Sequence, residues 1–162
     1  MSESKVTQSM NVNVKILPEA VGIVQAESKP AILEALAERF ADIYGVDRVA
    51  TLESLEERER LGSTGFGRGV AIPHARIDTI NMPVAVLLRL ESAVDFGAAD
   101  GMPVDLVFGL LSPTNAGVGH LHALAAISRT VRDETIRQAM VEAQTAEALF
   151  SMLTNVSDRD VA

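Results

Sequence analysis

At 162 residues, 48% of them apolar, the chain is sized for one domain with a substantial core and is too short for two full domains. A net charge of -8, from 22 acidic and 14 scattered basic residues, argues against a nucleic-acid clamp, which needs concentrated lysine and arginine. The absence of cysteine excludes a disulfide framework, a thiolate metal site and a cysteine nucleophile, and 4% aromatics without tryptophan leave no platform for stacking bases or sugars.

Residues 1–13 are polar, rich in Ser, Asn and Gln, and read as a disordered N-terminal tail without the apolar stretch of a signal peptide. No apolar run approaches the ~18 residues needed to span a membrane, so no membrane insertion is expected and the protein is assigned to the cytoplasm. The domain is expected over residues 14–156, followed by a short C-terminal tail at 157–162. Ser28 followed by Pro30 opens a helix whose apolar positions Ile32, Leu33, Leu36, Phe40 and Ile43 recur at helical spacing until Gly45. Asp47 caps a second helix through Val49, Leu52, Leu55 and Leu61, with a solvated charged face that includes Glu57, Arg58 and Glu59.

Residues 62–69 then hold four glycines in eight positions, a backbone free to turn tightly and with room for a bulky group to approach. Val70, Ala71 and Ile72 read as a buried strand that Pro73 must end, which places His74 where a rigid scaffold meets solvent. Two apolar runs, Val84 to Leu90 and Val104 to Leu111, read as central strands covered on both faces. Helices follow over His120 to Val131, Asp133 to Ala143 and Thr145 to Leu153, the last two opened by capping residues Asp133 and Thr145. Helices, strands and helices around one apolar sheet define a three-layer α/β or α+β sandwich.

Several motif matches fail. Gly62 to Gly67 has the outer glycines of a phosphate-binding loop, but Arg68 and Gly69 stand where Lys and Ser/Thr are required. The same glycines precede a strand instead of opening a helix, which excludes a dinucleotide fingerprint. Asp95-Phe96-Gly97 lacks the rest of a kinase, and Ser63 lacks the glycines of a hydrolase elbow. His120 and His122, two apart on a helix, point about 200° from each other and cannot share a metal ion. His120 instead shares an inward face with Leu124, Ile127 and Val131, in a first turn where free N–H groups favour an anion.

The run from Glu57 to Arg76, with Arg-x-x-x-Gly-Ser-Thr-Gly leading into Gly-Val-Ala-Ile-Pro-His, resembles the active-site segment of the fructose/mannitol-type enzyme IIA domain of the bacterial phosphotransferase system. Pro103 to Leu111 and His120 to Leu124 resemble the central strand and second histidine of the same family, and the likeness spans residues 15–154. The resemblance implies a central mixed β-sheet flanked by helices on both faces. It also implies that His74 accepts a phosphoryl group from a histidine-containing phosphocarrier protein, with His120 as the second histidine and Arg58 as the active-site arginine. Ser63 and Thr64 are then candidates to support the phosphate, and Arg68 and Arg76 to add positive potential. No cofactor or metal is expected, because the donor is another protein.

The chemistry suits these residue types. A neutral imidazole is nucleophilic at pH 7, and its phosphorylated form keeps enough transfer potential to pass the group on. Three outputs stay open. A nitrogen-type regulatory component would act on target proteins according to its phosphorylation state, and is favoured because the chain is a lone IIA domain. A sugar-specific component would hand phosphate to a cysteine on an enzyme IIB domain. A non-catalytic interaction module would keep the scaffold alone, against which the retention of His74, His120 and Arg58 argues.

Overall fold

The structure is a computed structural model that describes residues 9–11 and 13–161. Its centre is an antiparallel pair, β7 (Val84–Val94) and β8 (Val104–Pro113), in register from Val84 opposite Leu111 to Arg89 opposite Leu106. Successive strand residues point to opposite faces, and Val84 through Leu88 are all buried, so both faces of β7 are covered. This is why neither run shows polar alternation. Among the described residues six short strands complete a mixed sheet: β1 (Ser9–Asn11), β2 (Val14–Lys15), β3 (Val21–Val24), β4 (Gly65–Gly67), β5 (Val70–Ala71) and β6 (His74–Ile77). β2 and β3 run parallel to β7 along its outer side, while β5 and β6 run parallel to β8 along the other.

Among the described residues five α-helices cover the sheet: α1 (Lys29–Tyr44), α2 (Arg48–Arg60), α3 (Val118–Arg132), α4 (Glu134–Glu142) and α5 (Ala146–Val161). The caps act as expected. Ser28, Asp47, Asp133 and Thr145 each accept a first-turn amide, from Ala31, Ala50, Ile136 and Ala148 respectively. α1 is tied to the sheet by the Tyr44 hydroxyl, which donates to Ala85 O at 2.7 Å and accepts from Leu17 N–H at 3.1 Å.

The sandwich of sheet and helices is as expected, with three differences in its parts. Ser9–Asn11, inside the stretch expected to be tail, form β1 antiparallel to β2; the remainder of that stretch, residues 1–8 and 12, lies outside the described residues. The last helix continues to Val161, past the expected boundary at 156, and residue 162 lies outside the described residues. Pro73 interrupts the strand without ending it. Its carbonyl accepts from Leu110 N–H at 3.0 Å, and pairing to β8 resumes with His74 opposite Leu110. A proline lacks only its N–H, so the ladder continues where the carbonyl faces the partner strand. His74 therefore opens a strand and is half-buried.

Close packing of α1 on β8 depends on Gly109, where a Cβ would meet Leu36 Cδ2 at 2.9 Å and Phe40 Cε2 at 3.0 Å, both side chains fully buried. Gly109→Ala is expected to lower unfolding free energy by about 1–3 kcal/mol through overpacking, read as a lower urea midpoint at an unchanged slope.

Candidate active site

β6 carries His74 at its first position and Arg76 two residues on, so both side chains leave the same face. α2 ends beside β6 and brings Arg58 in its last turn, with the guanidinium Nη1 donating to Gly62 O at 2.9 Å. His120, in the first turn of α3, is buried, and its ring centroid lies 5.5 Å from that of His74 with the planes tilted by 50°. Two open clefts meet at this point. One, of about 390 Å³, is bordered by Arg58, Leu61, His74, Arg76 and His120; the other, of about 340 Å³, by Arg58, Thr64, Phe66, His74 and Leu124. His74 and Arg58 border both.

Each histidine is held through Nδ1. His74 Nδ1 lies 2.7 Å from Ile72 O, and since a carbonyl only accepts, the ring must donate from Nδ1 and keep its lone pair on Nε2. His120 Nδ1 lies 2.7 Å from the hydroxyl of Ser112, which is fully buried in β8. Burial lowers the pKa of His74, and Arg58 lowers it further, while the bond to Ile72 O and the charge of Glu59 act the other way. Burial, then Arg76 and His74, push His120 down to about 4. Both rings are neutral at pH 7.

The glycine-rich loop is fastened from below. Glu59 is buried, and its carboxylate accepts from Thr64 N–H at 3.1 Å, from the Thr64 hydroxyl and from Lys29 Nζ at 2.8 Å. The Ser63 hydroxyl donates to Phe96 O and accepts from Gly65 N–H, both at 3.0 Å. Lys29 also sits 4.5 Å above the Phe96 ring. The hydroxyls expected to support phosphate are thus committed to holding the loop. The glycines also differ from expectation: a Cβ on Gly65 would meet the Ala98 backbone at 2.8 Å, so the room at that position is occupied by the 95–101 loop and not by a ligand.

His74, His120 and Arg58 are brought together, and Arg76 joins them. Arg68 does not. Its guanidinium pairs with Glu134 at 3.1 Å, and its own carbonyl accepts from Arg137. The start of α3 offers fewer free N–H groups than its sequence promises, because Gly119 N–H and His120 N–H already bond Ala116 O and Gly117 O. His122 is exposed, away from the pair. Ser112 and Glu59 escaped the sequence reading. Ser112 sits in an apolar strand run and Glu59 in a helix face full of charges, so neither pattern marks the residue that is buried.

A pair of neutral histidines beside two arginines, on a mixed sheet sandwiched by helices, is chemically suited to an anionic group. The chain belongs to the family of the phosphoenolpyruvate-dependent sugar phosphotransferase system, EIIA 2, whose model matches residues 16–156. It is 39% identical to a nitrogen regulatory protein of Bradyrhizobium diazoefficiens, over 89% of this chain and 95% of that protein. It is 34% identical to a fructose-specific EIIA component of Haloferax volcanii, over 83% of this chain and 90% of that one. Among solved structures, the nitrogen regulatory protein IIA-Ntr of Neisseria meningitidis matches with a TM-score of 0.76 and 33% identity, over 83% of this chain and 94% of that one.

In the unfolded chain these imidazoles titrate near ~6.5, so below that pH unfolding takes up protons that the folded rings refuse. Their contribution to stability is complete above ~6.5 and is lost as pH falls through the folded values. Histidine ring shifts followed by NMR are expected to show His120 neutral until about pH 4, with the stability of the fold declining across the same window.

Proposed function

We propose that the protein is a phosphohistidine carrier that takes a phosphoryl group onto Nε2 of His74 from a histidine-containing phosphocarrier protein. The observation that carries this is the bond from His74 Nδ1–H to Ile72 O, which leaves an unprotonated Nε2 on a ring that borders the cleft lined also by Arg58 and His120. The Nε2 lone pair forms the new N–P bond while the N–P bond of the donor breaks, its electron pair returning to the donor imidazole. No proton has to leave His74, because Nε2 holds none. The product ring bears N–H and N–P together, and its positive character is stabilised by the Ile72 carbonyl and by the attached anion.

Transfer of this kind depends on positioning and on charges that meet the equatorial oxygens. Arg58, Arg76 and His120 are the groups placed for that task. The Bradyrhizobium relative, a nitrogen regulatory protein matched over nearly its whole length, supports the first reading, output through regulated target proteins. The Haloferax relative supports the second reading, delivery to an enzyme IIB cysteine during sugar uptake. Phosphorylated protein mixed with a IIB domain separates them: retention of the group favours regulation, and loss to a IIB cysteine favours transport.

Incubation with labelled phosphocarrier is expected to give an acid-labile phosphoprotein. His74→Ala takes no label, and His120→Ala folds but transfers on the order of 10²–10³ more slowly, the usual loss for one transition-state donor. An acid-stable label, or label retained by His74→Ala, contradicts the assignment.

A further inference from the structure

Ser112 is fully buried at the far end of β8, and its Oγ lies 2.7 Å from His120 Nδ1. The hydrogen between them can belong to either atom. If the ring donates from Nδ1, the serine O–H becomes a buried donor, and among the described residues it meets no other acceptor. If the serine donates, its buried O–H is satisfied, and the ring's own N–H falls on Nε2, on a ring that borders the open cleft. An orphaned buried donor is the costlier defect and the rarer one, so the second arrangement wins. A neutral imidazole has one N–H, so accepting at Nδ1 places that proton on Nε2. Burial and Arg76 keep the ring neutral at pH 7.

We propose that Ser112 is a positioning residue that holds His120 as the Nε2–H tautomer and fixes its ring, so that His120 donates a hydrogen bond to the phosphoryl group that His74 receives. This rests on the reading of His74 as acceptor. Two partners of opposite type then act on two rings 5.5 Å apart: the Ile72 carbonyl imposes Nδ1–H on His74, and the Ser112 hydroxyl imposes Nε2–H on His120. One ring presents a lone pair to phosphorus and the other presents a donor to its oxygens. A neutral donor also binds the phosphoryl group less tightly than an imidazolium would, which suits a carrier that must release it.

Long-range proton–nitrogen NMR on protein labelled with 15N in histidine reads both tautomers without any transfer reaction. The native protein at pH 7 is expected to show His120 protonated at Nε2 and His74 at Nδ1. In Ser112→Ala, the His120 nitrogens move toward the averaged values of a free imidazole. Its transfer rate at saturating phosphocarrier falls roughly 10- to 100-fold with little change in KM, as when a buried partner orienting a functional imidazole is removed. Ser112→Thr, which keeps the hydroxyl, restores the tautomer and the rate. Native His120 protonated at Nδ1, or Ser112→Ala transferring at the native rate, overturns the proposal. Label surviving in His74→Ala overturns the acceptor reading instead, and the tautomer measured by NMR identifies which of the two has failed.

Discussion

The register of β8 is the constraint on which the site depends. His74 is placed by pairing opposite Leu110, and His120 is held by Ser112, two residues further along the same strand. A slip of one residue would turn every side chain of β8 to the other face and separate the two imidazoles. Burial prevents it: nine of the ten residues of β8, all but Asp105, are buried. Each large apolar side chain in that run is stabilised by roughly 1.5–3 kcal/mol through burial, so a slipped strand loses far more than the few hydrogen bonds it could regain. The geometry of two polar residues is thereby set by an apolar strand that touches no ligand.

Electrostatics near the site divides into interactions of very different weight. The Arg68–Glu134 pair is well exposed on both sides, with 62% and 60% of the side chains accessible, and such pairs contribute at most about 1 kcal/mol. Glu59 is different, since only 5% of its side chain is accessible and it receives Lys29 and both donors of Thr64. Stripping one partner from a buried ion of this kind costs about 3–5 kcal/mol, which makes Glu59 the anchor that seats the glycine-rich loop under His74. At the histidines the sign is reversed. Burial together with Arg58 and Arg76 disfavours imidazolium, and the same arginines favour the anionic group the rings would receive. On the proposed function, one set of charges keeps His74 neutral before transfer and balances the phosphoryl group after it.

Much of this was readable from residues. Capping residues announced the helices, because a short polar side chain before an apolar period has few other uses, and the runs at 84 and 104 announced the central strands by their unbroken apolarity. Of the short strands only β5 was legible. Gly65-Phe66-Gly67 and His74-Ala75-Arg76-Ile77 are too short for a period to mark them and are extended because β5 and β8 supply partners. His74 stood out because it follows a buried strand and a proline, and the family resemblance linked it to His120 and Arg58. What composition could not show was hydrogen-bond direction. Whether Thr64 faces a ligand or Glu59, and whether Ser112 is packing or a donor, depends on contacts between residues as many as eight positions apart, brought together only by the fold.

The chemistry comes down to one nitrogen atom. If the Ile72 carbonyl fixes the tautomer of His74, phosphorus must bond to Nε2 of that residue and nowhere else. Phosphorus–nitrogen coupling measured by NMR on the phosphorylated, 15N-histidine-labelled protein tests this directly. The structure predicts coupling to His74 Nε2; coupling to Nδ1, or a phosphorus bonded to any other residue, would contradict it.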